Sequence, residues 1–239
     1  MATFLLIHGA WHGGWCWERL APELEAQGHA VHAPDLPGHG ADPADPAEVA
    51  FDDYVARVVE ALRALPEPAI LLGHSMGGMP ISAAAQAEPD RVRALVYLCA
   101  FLPRDGESLM DIEGRNPRPT VPGSAEPDAS GRVLTIPPER HRALFYGDVA
   151  EDVMAEAQAR LTPQPVQPFG APVSLGAGFS ALPKHYVECT RDGAISVELQ
   201  RDMAAATPGV TVHSLDADHS PMLSQPTELA AVLDRIAHA

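Results

Sequence analysis

The run Gly73-His74-Ser75-Met76-Gly77 sets a hydroxyl between two glycines, directly after the apolar stretch AILL. That is the spacing of a nucleophile held on a tight turn between a strand and a helix. The turn forces the serine into a strained backbone conformation, tolerated because the flanking glycines carry no side chains to clash. Its Oγ then stands above the sheet at the positive end of the following helix, where a developing oxyanion is favoured. A serine hydroxyl is a weak nucleophile until a base takes its proton, and imidazole, with a pKa of about 6.5, suits neutral pH. The chemistry implied is acyl transfer.

The base candidate is His219, in the stretch VHSLDADHSPML just past the last apolar run. Its orienting carboxylate has three candidates. Asp218 is its chain neighbour, and adjacent side chains diverge, so it is a poor one. Asp216 is possible but cramped. Asp192, which ends HYVECTRD on the neighbouring strand, is the better candidate, able to accept from Nδ1–H of His219. Oxyanion donors come from the end of the first strand, IHGAWHGGWCW: a turn at His8-Gly9 lets the backbone N–H of Ala10 join that of Met76. Trp11 beside it is expected at the pocket wall, while Trp15 and Trp17 anchor the first helix in the core. His8 and His12 have an H-x₃-H spacing, but without a carboxylate or thiolate nearby no metal site is expected. His74 reads as a packing residue, and Cys99 and Cys189 as inert thiols.

These groups need a scaffold. FLLIHG, HAVHAPD, AILLGHS, RALVYLCAF, HYVECT and VTVHSLD read as six strands, nearly continuous in apolarity and hence covered on both faces of a parallel sheet. FDDYVARVVEALRAL between the second and third carries the i, i+3, i+4 rhythm of an amphipathic helix. Strand–helix alternation predicts a doubly wound α/β sheet. Pro80 falls late for the tolerated first turn of the helix after Ser75, so a small local distortion is expected there. The alternation fails between Pro103 and Pro183, a segment holding 12 of the chain's 24 prolines. Within it ERHRALFYGDVAEDVMAEAQARL reads as helical and Asn116–Gly131 as a loop. Residues 1–102 and 184–239 are expected to form the core, and 103–183 a lid over the sheet's C-terminal edge.

The 239 residues carry 16 basic and 32 acidic side chains, a net charge of −16. Such a surface repels phosphate backbones and anionic lipid, so neither nucleic acid nor membrane is an expected partner. Three scattered cysteines and an N-terminus without a basic region point to a cytoplasmic protein with reduced thiols.

HGAWHGGWCWERL, DLPGHG, GHSMGG, ECTRDGAI and DADHSPML resemble the small α/β-hydrolases grouped with plant methylesterases, hydroxynitrile lyases and bacterial carboxylesterases. The resemblance spans nearly the whole chain and is weak over Pro103–Pro183. It implies an α/β-hydrolase fold whose sheet begins at the family's third strand and carries a helical, Pro-rich cap. It also implies a Ser75, Asp192, His219 triad with Ala10 and Met76 as oxyanion amides, and no cofactor. Lyase members carry a lysine just after the histidine and a hydroxyl residue in the oxyanion loop; Ser220 and Gly9 stand here instead, and both departures favour ester hydrolysis. The expected activity is a serine carboxylesterase acting on small to medium apolar esters, as a monomer or homodimer. A C–C lyase or a small-molecule receptor is the alternative. Wall candidates for the pocket are Trp11, Met76, Phe101, Leu102, Phe145, Tyr146, Phe169, Phe179 and Met222.

Overall fold

In the computed structural model, which describes residues 1–239, the six expected strands form one parallel sheet. They are β1 (Thr3–Ile7), β2 (Ala30–His32), β3 (Ala69–His74), β4 (Val92–Leu98), β8 (Lys184–Cys189) and β9 (Val210–Leu215), in the order β2-β1-β3-β4-β8-β9. The central strands β1 and β3 are buried at every residue. Their continuous Leu and Ile runs have helices on both sides to pack against, which is why they do not alternate. Edge strand β2 is short and half-exposed. Between strands lie α1 (Ala21–Ala26), α2 (Phe51–Ala64), α3 (Gly78–Ala87) and α9 (Val197–Ala205), and after the last strand come α10 (Pro221–Ser224) and α11 (Pro226–Ala237). Helix α2 turns Phe51, Tyr54, Val58 and Leu62 inward, the stripe its spacing predicts. The buried apolar side chains form one contiguous core.

The direction of winding reverses at β1. From β1 the chain moves outward to β2, then returns to β3 on the other side of β1. At such a reversal the loops leaving the two strands part, and a crevice opens at their carboxyl ends. The loop after β1 and the turn after β3 carry Ala10 and Ser75.

Pro80 leaves α3 intact. A single 3₁₀ turn, Ser75–Gly77, precedes α3, so Pro80 is only its third residue. The local distortion is this tightened entry, and the N–H that proline lacks belongs to the first turn, where it has no intrahelical partner.

Residues 103–183 hold short helices α4 (Leu109–Glu113), α5 (Pro138–Leu144), α6 (Glu151–Gln158), α7 (Gln167–Gly170) and α8 (Ala177–Ala181). They also hold a small antiparallel sheet of β5 (Glu126–Pro127), β6 (Val133–Thr135) and β7 (Gln164–Pro165). The expected helix over 139–161 is two helices, α5 and α6, with a turn between. The break falls over Phe145–Ala150, where Gly147, a poor helix former, interrupts the pattern. The Arg142 guanidinium donates to the carbonyls of Tyr146 and Val149 at 3.2 and 3.3 Å and secures the break. The expected loop over 116–131 is irregular apart from β5. No helix is long and apolar enough to cross a membrane.

Backbone approaches at the turn after β3 are close enough to exclude side chains. A Cβ at Gly73 would lie 2.5 Å from the carbonyl oxygen of Gly77, and one at Gly78 would collide with that of Phe101. Gly78→Ala is therefore expected to cost about 1–3 kcal/mol, as overpacking does, with about 2–4 °C of melting temperature lost per kcal/mol. Thermal denaturation followed by circular dichroism checks this; an unchanged midpoint would mean the turn is looser than described.

Candidate active site

Ser75 has a φ of +54°, the left-handed region that non-glycine residues rarely occupy. Phe101 N–H donates to its carbonyl at 3.0 Å and fixes the twist. Gly9 lies directly against it: a Cβ there would come within 2.8 Å of Ser75 Cβ. The next residues, Ala10 and Trp11, line a cavity together with Ser75 and Met76. Trp11 is itself at a φ of +62°.

That strained loop is braced by residues far along the chain. His12 Nδ1–H donates to the Ala10 carbonyl at 2.8 Å, so its Nε2 is an acceptor and takes the Tyr146 hydroxyl at 2.8 Å. Thr162 N–H donates to the Trp11 carbonyl at 2.9 Å, and Gln164 Oε1 accepts from Trp11 N–H at 3.3 Å. Burial pulls His12 down to about 3, the backbone bond opposing, so the ring is a neutral strut. His8 is likewise lowered to about 4 by burial. It donates to Gly9 O at 2.8 Å and accepts from Leu36 N–H at 3.0 Å, which occupies both ring nitrogens.

His219 follows β9, and its Nδ1 lies 2.8 Å from Asp192 Oδ2, both side chains being sealed from solvent. The carboxylate is fixed in turn: Oδ1 accepts from Ala194 and Ile195 N–H at 2.7 and 2.8 Å, and Oδ2 from Gln200 Nε2 at 3.1 Å. A proton on Nδ1 leaves Nε2 as the acceptor. His74, read as packing, does more. Its Nε2–H donates to the His219 carbonyl at 2.8 Å, and the two rings lie 4.6 Å apart. Burial holds its pKa well below the usual histidine range. The thiol of Cys99 also reaches the His219 carbonyl, at 3.5 Å, and burial pushes that thiol well above its ordinary range. The other carboxylates go elsewhere. Asp216 is exposed and pairs with Arg191 at 2.8 Å. Asp218 turns away from its neighbour, accepting from Asp148 N–H at 3.1 Å, Ser220 N–H at 3.2 Å and Ser224 Oγ at 2.8 Å.

The cavity holds about 490 Å³, an ordinary ligand-site volume. Trp11, Met76, Phe101, Phe145 and Phe169 stand in its wall. Leu102, Tyr146, Phe179 and Met222, also expected there, do not. Leu102 is buried with its N–H on Met203 sulfur, and Tyr146 is turned onto His12. Phe179 packs under the Lys184 ammonium at 4.4 Å. Met222 is enclosed in α10, just after His219 in the chain. Leu102 and Met222 are apolar and follow the carboxyl ends of β4 and β9, so composition alone could not separate wall from packing, whereas Phe179 lies just before β8, at the other end of the sheet. The sequence reading missed the struts Tyr146 and His74, and two polar wall residues, Glu113 and Asn116. His74 carried a signal in hindsight, as a large polar side chain in a fully buried turn.

Residues 4–232 match the alpha/beta hydrolase family. The chain belongs to that family. It is 36% identical over 250 residues to the pyrethroid hydrolase of Sphingobium wenxiniae, covering all of this chain and 89% of that one. It is 32% identical to methylesterase 7 of Arabidopsis thaliana, covering 98% of this chain and 95% of that one. The crystal structure of a pyrethroid hydrolase from Sphingobium faniae JZ-2 superposes with a TM-score of 0.91 at 36% identity, over 100% and 98% of the two chains.

The roles of the two neighbouring aspartates separate in stability. Asp218→Ala strands three donors and is expected to cost about 2–3 kcal/mol. Asp216→Ala, losing one exposed ion pair, should leave the midpoint nearly in place. Urea unfolding of both variants decides; similar losses would contradict the buried role given to Asp218.

Proposed function

We propose that this protein is a serine carboxylesterase that hydrolyses small to medium apolar carboxylic esters through an acyl-enzyme on Ser75. Ester hydrolysis itself is the activity of the family members it resembles, among them a pyrethroid hydrolase and a methylesterase. What carries the serine mechanism is the 2.8 Å bond from His219 Nδ1 to a fully buried Asp192, at the same sheet edge as the strained Ser75.

In this reading Ser75 Oγ attacks the ester carbonyl carbon as His219 Nε2 takes its proton. The new oxyanion sits on the N–H groups of Ala10 and Met76. Asp192 stabilises the imidazolium without itself being protonated. The C–O bond to the alcohol then breaks, and His219 returns the proton to the leaving oxygen. Water, deprotonated by the same nitrogen, attacks the acyl carbon; the carboxylic acid departs and Ser75 regains its proton. Segment 103–183 acts as the lid: Leu134, Phe145, Val166 and Phe169 complete the chamber over Ser75 and keep bulk water from weakening the polar contacts made there. Two positions favour hydrolysis over C–C lysis. Position 9 has no space for a hydroxyl side chain beside Ser75, and Ser220, after His219, is wholly buried.

Ser75→Ala is expected to lower kcat on the order of 10⁶-fold with the fold intact. Asp192→Asn is expected to lower it about 10⁴-fold by favouring the wrong imidazole tautomer. Retention of more than a few per cent activity by purified Ser75→Ala protein would sink the mechanism. Specificity has its own check: kcat/KM for acetyl, butyryl, octanoyl and palmitoyl esters of one alcohol should fall towards palmitoyl. A maximum at palmitoyl would mean that the chamber opens onto a long lipid groove.

A further inference from the structure

Apart from Ser75, the side chains that bring polarity to the cavity wall are Glu113 and Asn116. Glu113 is the last residue of α4. A negative charge there meets the negative end of the helix dipole, and the surrounding wall, from Leu109 to Ile195, is apolar. Its hydrogen bonds come from one neutral group, the Asn116 amide, at 3.1 and 3.3 Å to its two oxygens. That amide cannot turn away, because its own oxygen accepts from Ser196 Oγ at 2.7 Å and Arg118 N–H at 3.1 Å. A carboxylate offers about four acceptor positions, so the held Glu113 keeps acceptor capacity on a half-buried site facing an apolar chamber. A group placed so unfavourably for its own stability needs a donor to complete it.

Resting on the esterase reading above, we propose that Glu113 selects the substrate: esters that carry a nitrogen-borne hydrogen-bond donor, an amine or N–H, on an otherwise apolar body. The same carboxylate repels esters that carry a second carboxylate. The net charge of −16 acts in the same direction by drawing cations to the surface. Burial raises Glu113 to about 7, with the Asn116 bond opposing and the charge of Asp192 adding to the rise. Nothing else packed there competes for its charge. Helix α7, which packs on α4, has no titratable residue. Arg115 is engaged by Glu107, and Arg118 by Glu198. As pH rises through about 7 the carboxyl ionises, and its attraction for an ammonium group, which stays protonated to a pH of about 10, grows.

The test compares three ethyl esters of similar size: heptanoate, ω-aminohexanoate and the monoester of adipate. The wild-type ratio of kcat/KM for aminohexanoate over heptanoate is expected to rise several-fold from pH 6 to pH 8, while adipate falls behind heptanoate. In Glu113→Gln the ratio should be about tenfold lower at pH 8, the size of one charge-assisted bond, and flat with pH. A flat wild-type ratio, or the same slope in the glutamine variant, overturns the proposal. Calorimetric binding of hexylammonium to the wild type reads Glu113 without turnover: it should tighten from pH 6 to pH 8, and equal binding at both would also overturn it. Hydrolysis of heptanoate tests the esterase reading separately, since a protein that binds hexylammonium in this way but cleaves none of the esters would keep Glu113 and lose the enzyme.

Discussion

A φ of +54° at Ser75 is a conformation the chain would leave if it could, at a gain on the order of 1–2 kcal/mol. Backbone closes on it from several sides and prevents that. The loop after β1 lies against its Cβ, the Gly77 carbonyl crowds Gly73, and the Phe101 backbone crowds Gly78 while bonding Ser75 itself. Only a central position in a parallel sheet supplies so many neighbouring chains at one point. The order β2-β1-β3-β4-β8-β9 can therefore be read outward from this residue: β1 and β4 flank it, and β8 and β9 bring Asp192 and His219 to the same edge.

Around this point buried histidines hold the backbone by hydrogen bonds. Burial lowers the pKa of His8, His12 and His74, so each is a neutral ring with one N–H and one lone pair. Two of them grip backbone carbonyls that matter: His12 holds Ala10, and His74 holds His219. A charged ring in either place could not accept from Tyr146 or sit beside His219 without repulsion. The burial that encloses the site also keeps its supports uncharged.

The core was legible in the sequence because its signals are local. Continuous apolar runs identify buried parallel strands, and the glycine spacing around Ser75 reports a steric requirement that few other residues meet. The contact of Asp192 with His219 was readable from one geometric fact, that neighbours in the chain point apart; Asp218 does turn away, towards Asp148 and Ser224. Residues 103–183 were harder because their structure is set by distant partners. Two-residue strands such as Gln164–Pro165 carry no periodicity. The helix pattern over 139–161 is interrupted around Gly147, between α5 and α6. Glu113 looked like any acid on a short helix, since nothing local says that the face it occupies is a wall.

Asp218 joins two parts of the molecule that sequence distance separates by 70 residues. Through Asp148 N–H it ties the turn between α5 and α6 to the loop bearing His219, and Tyr146 from the same turn is bolted to His12. That flank is a rivet. Swinging it outward would pull His219 away from Asp192 and release Ala10 in one motion, dismantling the site each time a molecule arrived. The chamber is bordered as well by α4 and the stretch around residues 119–125, where Met110 stands 61% exposed. That border is tied in its turn to the segment just after Asp192, through Thr120 Oγ1 on the Gly193 carbonyl and Ser196 Oγ on the Asn116 amide oxygen.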